Sequence, residues 1–146
     1  SACRVHCSCS RAVINLIRSC CTSNSNCQWS NSHHILQGAV AVSTQGGALT
    51  YWSDTDASSG GGIQTARLSS ITTNNGALTL SGGLDLTTGY AKGTPTSSYR
   101  GVNIQGSLST GSGAVVIRGE NATNGDGGTS FYWGAGVAFV AGCCCV

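Results

Sequence analysis

The chain has 146 residues, with 22 glycines, one proline, nine cysteines, no methionine and only 8% charged residues. Its net charge of +2, carried by scattered Arg and Lys, argues against an electrostatic nucleic-acid binder, and no apolar run approaches the ~20 residues of a membrane span. Little Lys and Glu beside abundant Gly, Ser, Thr and Asn argues for short strands and turns within one domain.

The cysteines divide the chain. Cys3, Cys7, Cys9, Cys20, Cys21 and Cys27 fall in the first segment, and Cys143, Cys144 and Cys145 in the last. This predicts a Cys-rich N-terminal segment over 1–37, a repeat region over 38–142 and a Cys-rich tail over 143–146. Within the first segment, Ser10 caps a predicted short helix through Arg18, with Val13, Ile14, Leu16 and Ile17 on one face. Such a helix would plug the open end of a stack of strands; the alternative is a poorly ordered segment. The apolar run from Ala12 to Ile17 is broken by Asn15 and followed by no cleavage site, so no export signal is read in this chain. Cys3, Cys7 and Cys9 with His6 offer only one spacing close to a zinc knuckle, and no second one follows. Nine cysteines cannot all pair with one another. The expectation is an incidental set of thiols, with no structural zinc and no cofactor.

From Gly38 onward a ten-residue unit occurs three times: Val42 to Tyr51, Ile71 to Leu80, and Leu108 to Ile117. Each has an apolar residue, Ser/Thr, Thr, two turn formers, Gly-Ala and an alternating apolar pair. The alternation of Leu78 and Leu80 against Ala77 and Thr79 is strand spacing. The turn formers Gln45-Gly46, Asn74-Asn75 and Gly111-Ser112 tolerate positive φ. A second short strand opens with Gly at Gly62-Ile63 and Gly101-Val102, and a further copy starts at Gly136-Val137.

Repeats of this kind predict an all-β fold, a right-handed parallel β-helix whose coils stack to bury a shared apolar column. The predicted column is Val40, Val42, Leu49, Tyr51, Ile63, Leu68, Ile71, Leu78, Leu80, Val102, Ile104, Leu108, Val115, Ile117, Val137 and Phe139. An antiparallel β-sandwich is the alternative, and the likeness of the units favours the solenoid.

The residues from Gly46 to Phe139 resemble the β-helical repeat regions of bacterial filamentous-haemagglutinin-type adhesins. The carrying stretches are Gly47 to Asp54, Ser70 to Gly83, Gly101 to Ile104 and Gly113 to Gly119. The resemblance implies a secreted or cell-surface setting, in many relatives reached by two-partner secretion, and a stalk or adhesive role without catalysis. The family's secretion-domain signature with its Asn-Pro-Asn core is absent from this sequence.

Three polar excursions leave the repeats: Ser53 to Gly61, Ser81 to Arg100, and Arg118 to Ala135. Trp52, Tyr90, Tyr99, Phe131, Tyr132 and Trp133 lie in or beside them as candidate binding residues for a host glycan or matrix protein. Asp54 and Glu120 fall three residues beyond their repeats, and Asp56 and Asp85 five beyond. These four carboxylates are a candidate cation edge, with ordinary turn roles as the alternative. The leading functional expectation is a non-catalytic structural or adhesive segment of a bacterial surface protein, with end-to-end homo-association. A polysaccharide-cleaving β-helix enzyme using these acids with Lys92, Arg100 or Arg118 is the second reading. A self-assembling β-solenoid scaffold is the third.

Overall fold

The computed structural model describes residues 5–8, 12–14, 26–58, 60–94, 100–120 and 129–131, the first two and the last of these stretches as backbone strands. Fifteen strands occur, and no helix is formed among the described residues. They are β1 (Val5–Ser8), β2 (Ala12–Ile14), β3 (Cys27–Ser30), β4 (Ile35–Gln37), β5 (Ala41–Ser43), β6 (Leu49–Ser53), β7 (Ile63–Thr65) and β8 (Ser70–Thr72). There follow β9 (Leu78–Gly82), β10 (Ala91–Lys92), β11 (Val102–Ile104), β12 (Ser107–Ser109), β13 (Val115–Ile117), β14 (Gly119–Glu120) and β15 (Thr129–Phe131).

The strands form three main sheets. The first has the order β1-β3-β6-β9-β13, the second β15-β11-β7-β4-β2, and the third β12-β8-β5, with β10 and β14 as a separate pair. From β3 to β9 the chain visits the first, second and third sheets in fixed rotation. Every strand pair is parallel, which demands long crossovers rather than hairpins. The three ten-residue units therefore stack in one sheet, with Leu49 opposite Leu78 and Leu78 opposite Val115. The antiparallel alternative fails at these pairs. Equivalent positions recur 22, 29 and 37 residues apart. The second predicted strand also stacks, Ile63 against Val102.

Packing follows the alternation. Leu49, Tyr51, Leu78 and Leu80 from the first sheet, Ile35, Ile63, Val102 and Ile104 from the second, and Val42, Ile71 and Leu108 from the third close one core. Val115 and Ile117 are partly buried against it. Trp29, Cys27 and Ala91 join it as well, and the Trp29 and Tyr51 rings meet edge-on at 5.1 Å.

Turns lock each unit to the next. Thr44, Thr73 and Thr110 donate through their hydroxyls to the carbonyls of Gly47, Gly76 and Gly113 at 2.6, 2.5 and 3.0 Å. These bonds satisfy buried groups at three stacked corners. Positive φ is taken there by Gly46, Asn74, Asn75 and Gly111, as the turn formers predict. Asn75 Oδ1 accepts from the Ser112 backbone and hydroxyl, both at 3.0 Å, tying two coils together.

Three expectations are corrected. Leu68 is 91% exposed rather than inward, because it sits at φ +64° at the tip of the turn that Ser69 closes onto Ala66. The predicted helix gives way at Ala12–Ile14 to β2, which pairs with β4. β-Branched Val13 and Ile14 are stiff in a helix, and as a strand they pair the edge of β4 that β7 leaves open. Incidental thiols fail at Cys27, which is buried on the inward side of β3 and disulfide-bonded. The slot beside β11 is taken by Thr129–Phe131, within the third predicted excursion and ahead of the copy expected at Gly136. Strands on both sides of the expected boundary at Gly38 share the same sheets. Val137 and Phe139 lie outside the described residues, as does the 143–146 tail.

Tyr51 is fully buried, and its hydroxyl donates to Gln37 Oε1 at 2.8 Å. Gln37 in turn donates to Val40 and Ser70 carbonyls at 3.0 and 3.1 Å. Burial alone pushes the Tyr51 phenol far above its ordinary range, so it stays a donor. Tyr51→Phe keeps the ring packing but strands a buried amide oxygen. A loss of about 1–3 kcal/mol is expected by urea denaturation. An unchanged midpoint would contradict this network.

Candidate functional site

The polar groups gather where three excursions leave successive coils. The first is the β3–β4 loop, residues 31–34; the second runs from Asp54 to Gly62; the third holds 83–90 and leads into β10. Parallel stacking brings them together, since Ser30 pairs with Trp52 and Ser53 with Gly82. The Asp54 amide donates to the His33 carbonyl at 3.1 Å, and the Ser53 hydroxyl to the Gly61 carbonyl at 2.6 Å. A Cβ on Gly61 would lie 2.1 Å from the His33 carbonyl oxygen, so only glycine lets these loops approach so closely.

The third excursion closes on itself. The Ser81 hydroxyl donates to the Gly89 carbonyl at 2.8 Å, and a Cβ on Gly82 would sit 2.6 Å from Ala91 Cα. Ala91 and Lys92 thereby resume the coil path and pair with Gly119 and Glu120.

The four predicted acids have different settings. Asp54 is only 3% exposed, and its Oδ1 is buried with no hydrogen-bond partner. Burial, then repulsion from Asp56, pushes its carboxyl up, while the Gly60 amide and the charges of Lys92 and His33 pull it down. Asp56 Oδ1 accepts from the Ser58 amide at 3.2 Å, and Asp85 Oδ1 from the Thr87 amide and hydroxyl, both at 2.7 Å. These bonds hold both exposed carboxyls below their usual range. They are the turn roles that Asp plays with its own backbone. Glu120 stands opposite Lys92 in the β10–β14 pair. Among the described residues, no group of three or more His, Cys, Asp or Glu side chains is placed to hold a metal ion.

Of the aromatic candidates, Trp52 is half-buried and its indole donates to the Gly83 carbonyl at 2.7 Å, so it covers the 83–90 loop. Tyr90 is 53% exposed on the same loop. The Phe131 backbone pairs with Ile104 in the second sheet. Tyr99, Tyr132 and Trp133 lie outside the described residues.

Sequence reasoning set His33 and His34 only beside the N-terminal cysteines as possible soft ligands and missed their place between the loops. His34 Nδ1 accepts from the Gly62 amide at 2.8 Å, and its Nε2 lies 3.4 Å from Thr94 Oγ1. Burial is the largest influence and holds the imidazole below its ordinary range. His34 and Gly62 are 28 residues apart, one coil repeat, and that offset is the signal that would have joined them. Comparison with family models, curated proteins and solved structures gives no match.

Proposed function

We propose that the three-sheet rotation is a right-handed parallel β-helix and that the chain is a non-catalytic structural or adhesive segment of a bacterial surface or secreted protein. The observation that carries this reading is the in-register stacking of three like units on an almost uncharged chain. Such a stack is a rigid spacer that displays loops along one edge. The resemblance to haemagglutinin-type repeats supports the surface setting. The partner is a host glycan or matrix protein, met by the excursion edge where Tyr90 is exposed. End-to-end homo-association is a further part of the proposal, since strand β13 is paired on one side among the described residues.

A polysaccharide-cleaving reading is favoured by one feature: Lys92 acts on Asp54 and stands opposite Glu120. Against it, Asp54 is buried, so a sugar chain cannot reach its carboxyl without loop movement. A glycan and matrix-protein binding screen, run beside turnover assays on acidic polysaccharides, separates the two. We expect binding without turnover, weakened roughly tenfold by Tyr90→Ala. Turnover that disappears in Asp54→Ala or Glu120→Ala would overturn the adhesive reading.

A further inference from the structure

We infer that His34 is a pH-sensitive latch whose neutral imidazole ties three successive excursion loops together and whose protonation releases them. The geometry fixes the proton. Nδ1 faces the Gly62 N–H at 2.8 Å and must offer a lone pair, which places the ring proton on Nε2, toward Thr94 Oγ1 at 3.4 Å. One ring therefore reaches from the β3–β4 loop to the start of β7 and to the residues after β10.

Protonation puts a second N–H on Nδ1, directly against the Gly62 N–H. The acceptor is lost and two donors face each other. The surroundings leave little room for the ring to adapt while its loop stays docked. The His34 carbonyl accepts from Asn31 Nδ2 at 2.9 Å, and the Ile35 amide donates to the Gly62 carbonyl at 2.9 Å. The Gly61 backbone lies hard against the His33 carbonyl.

Among the described residues, the charges that act on His34 are His33 from its own loop, which disfavours the cation, and Asp54 from the second loop, which favours it. Asp54 is itself set between Asp56 and Lys92 of β10. Burial outweighs the pull of the Gly62 backbone and of Asp54 toward the cation, so the docked His34 binds its proton less readily than a free imidazole does. The sign follows from linkage. The released state takes up the proton first, so docking is complete above about pH 6.5 and weakens as pH falls from there toward the lowered docked value. Asp54, raised when docked, acts in the opposite sense.

The test is amide hydrogen exchange on the full chain, corrected for intrinsic rates, at pH 7.5 and pH 5. Protection at Gly62 is expected to fall roughly tenfold while Leu78 and Leu80 keep theirs. His34→Asn, which cannot titrate, should abolish this pH dependence, and His33→Asn should retain it. Nitrogen-15 shifts of the ring should show the Nε2–H tautomer at pH 7.5. Equal Gly62 protection at both pH values, the same transition in His34→Asn, or a parallel loss at Leu78 and Leu80 would each overturn the latch.

Discussion

Gly76→Ala is expected to cost at least about 3 kcal/mol, at the upper end of overpacking effects, or to prevent folding. The reason is space, not backbone conformation. A Cβ on Gly76 would stand 2.1 Å from the Gly47 carbonyl oxygen, and one on Gly113 would stand 2.0 Å from that of Gly76. Gly47, Gly76 and Gly113 thus form a column in which each coil's backbone rests on the next. The obstacle is main chain held by the Thr44 and Thr73 hydroxyls, so no side-chain rotation can relieve it. Gly46→Ala is the control. There the nearest atom, the Asn74 carbonyl oxygen, is at 3.5 Å and only the positive φ resists, for an expected cost of about 1–2 kcal/mol. Urea denaturation of both variants measures the difference. Equal effects would show that the coils do not approach as closely as described.

Leu80→Ala is the second large effect, about 2–5 kcal/mol. Leu80 is fully buried and lies in register between Tyr51 and Ile117. Truncation opens a cavity flanked above and below by strands that parallel pairing holds apart, so the gap cannot collapse. Leu84→Ala, on the exposed 83–90 loop, should change stability by less than about 0.5 kcal/mol. If the two variants denatured at the same midpoint, the inward face would be misassigned.

The repeats made these positions legible. The alternation of Leu49 with Tyr51 and of Leu78 with Leu80 fixes the inward face. The likeness of the units fixes register, because a slip by one residue would turn every apolar side chain outward. Leu68 escaped this reasoning because alternation stops at a corner, where φ decides direction. β3 and β4 escaped because Cys27, Trp29, Ile35 and Gln37 carry inward faces without the Gly-Ala signature of the units. At the candidate site, the turn roles of Asp56 and Asp85 follow from neighbouring Ser58 and Thr87 and were readable locally. The buried state of Asp54 and the reach of His34 were not. Both depend on loops from different coils meeting, and the excursions differ in length because residues 83–89 loop out and return.

The most direct test of the stacked-coil account is a set of interstrand proton contacts measured by NMR on isotope-labelled protein. Parallel pairing predicts close contacts from the Leu49 amide to the Leu78 Hα and from the Leu78 amide to the Val115 Hα, beside the 2.8 Å backbone hydrogen bonds to the Ala77 and Ala114 carbonyls. It also predicts no close Hα–Hα pairs between β6, β9 and β13. Close Hα–Hα contacts between these strands, the mark of antiparallel neighbours, would contradict the account.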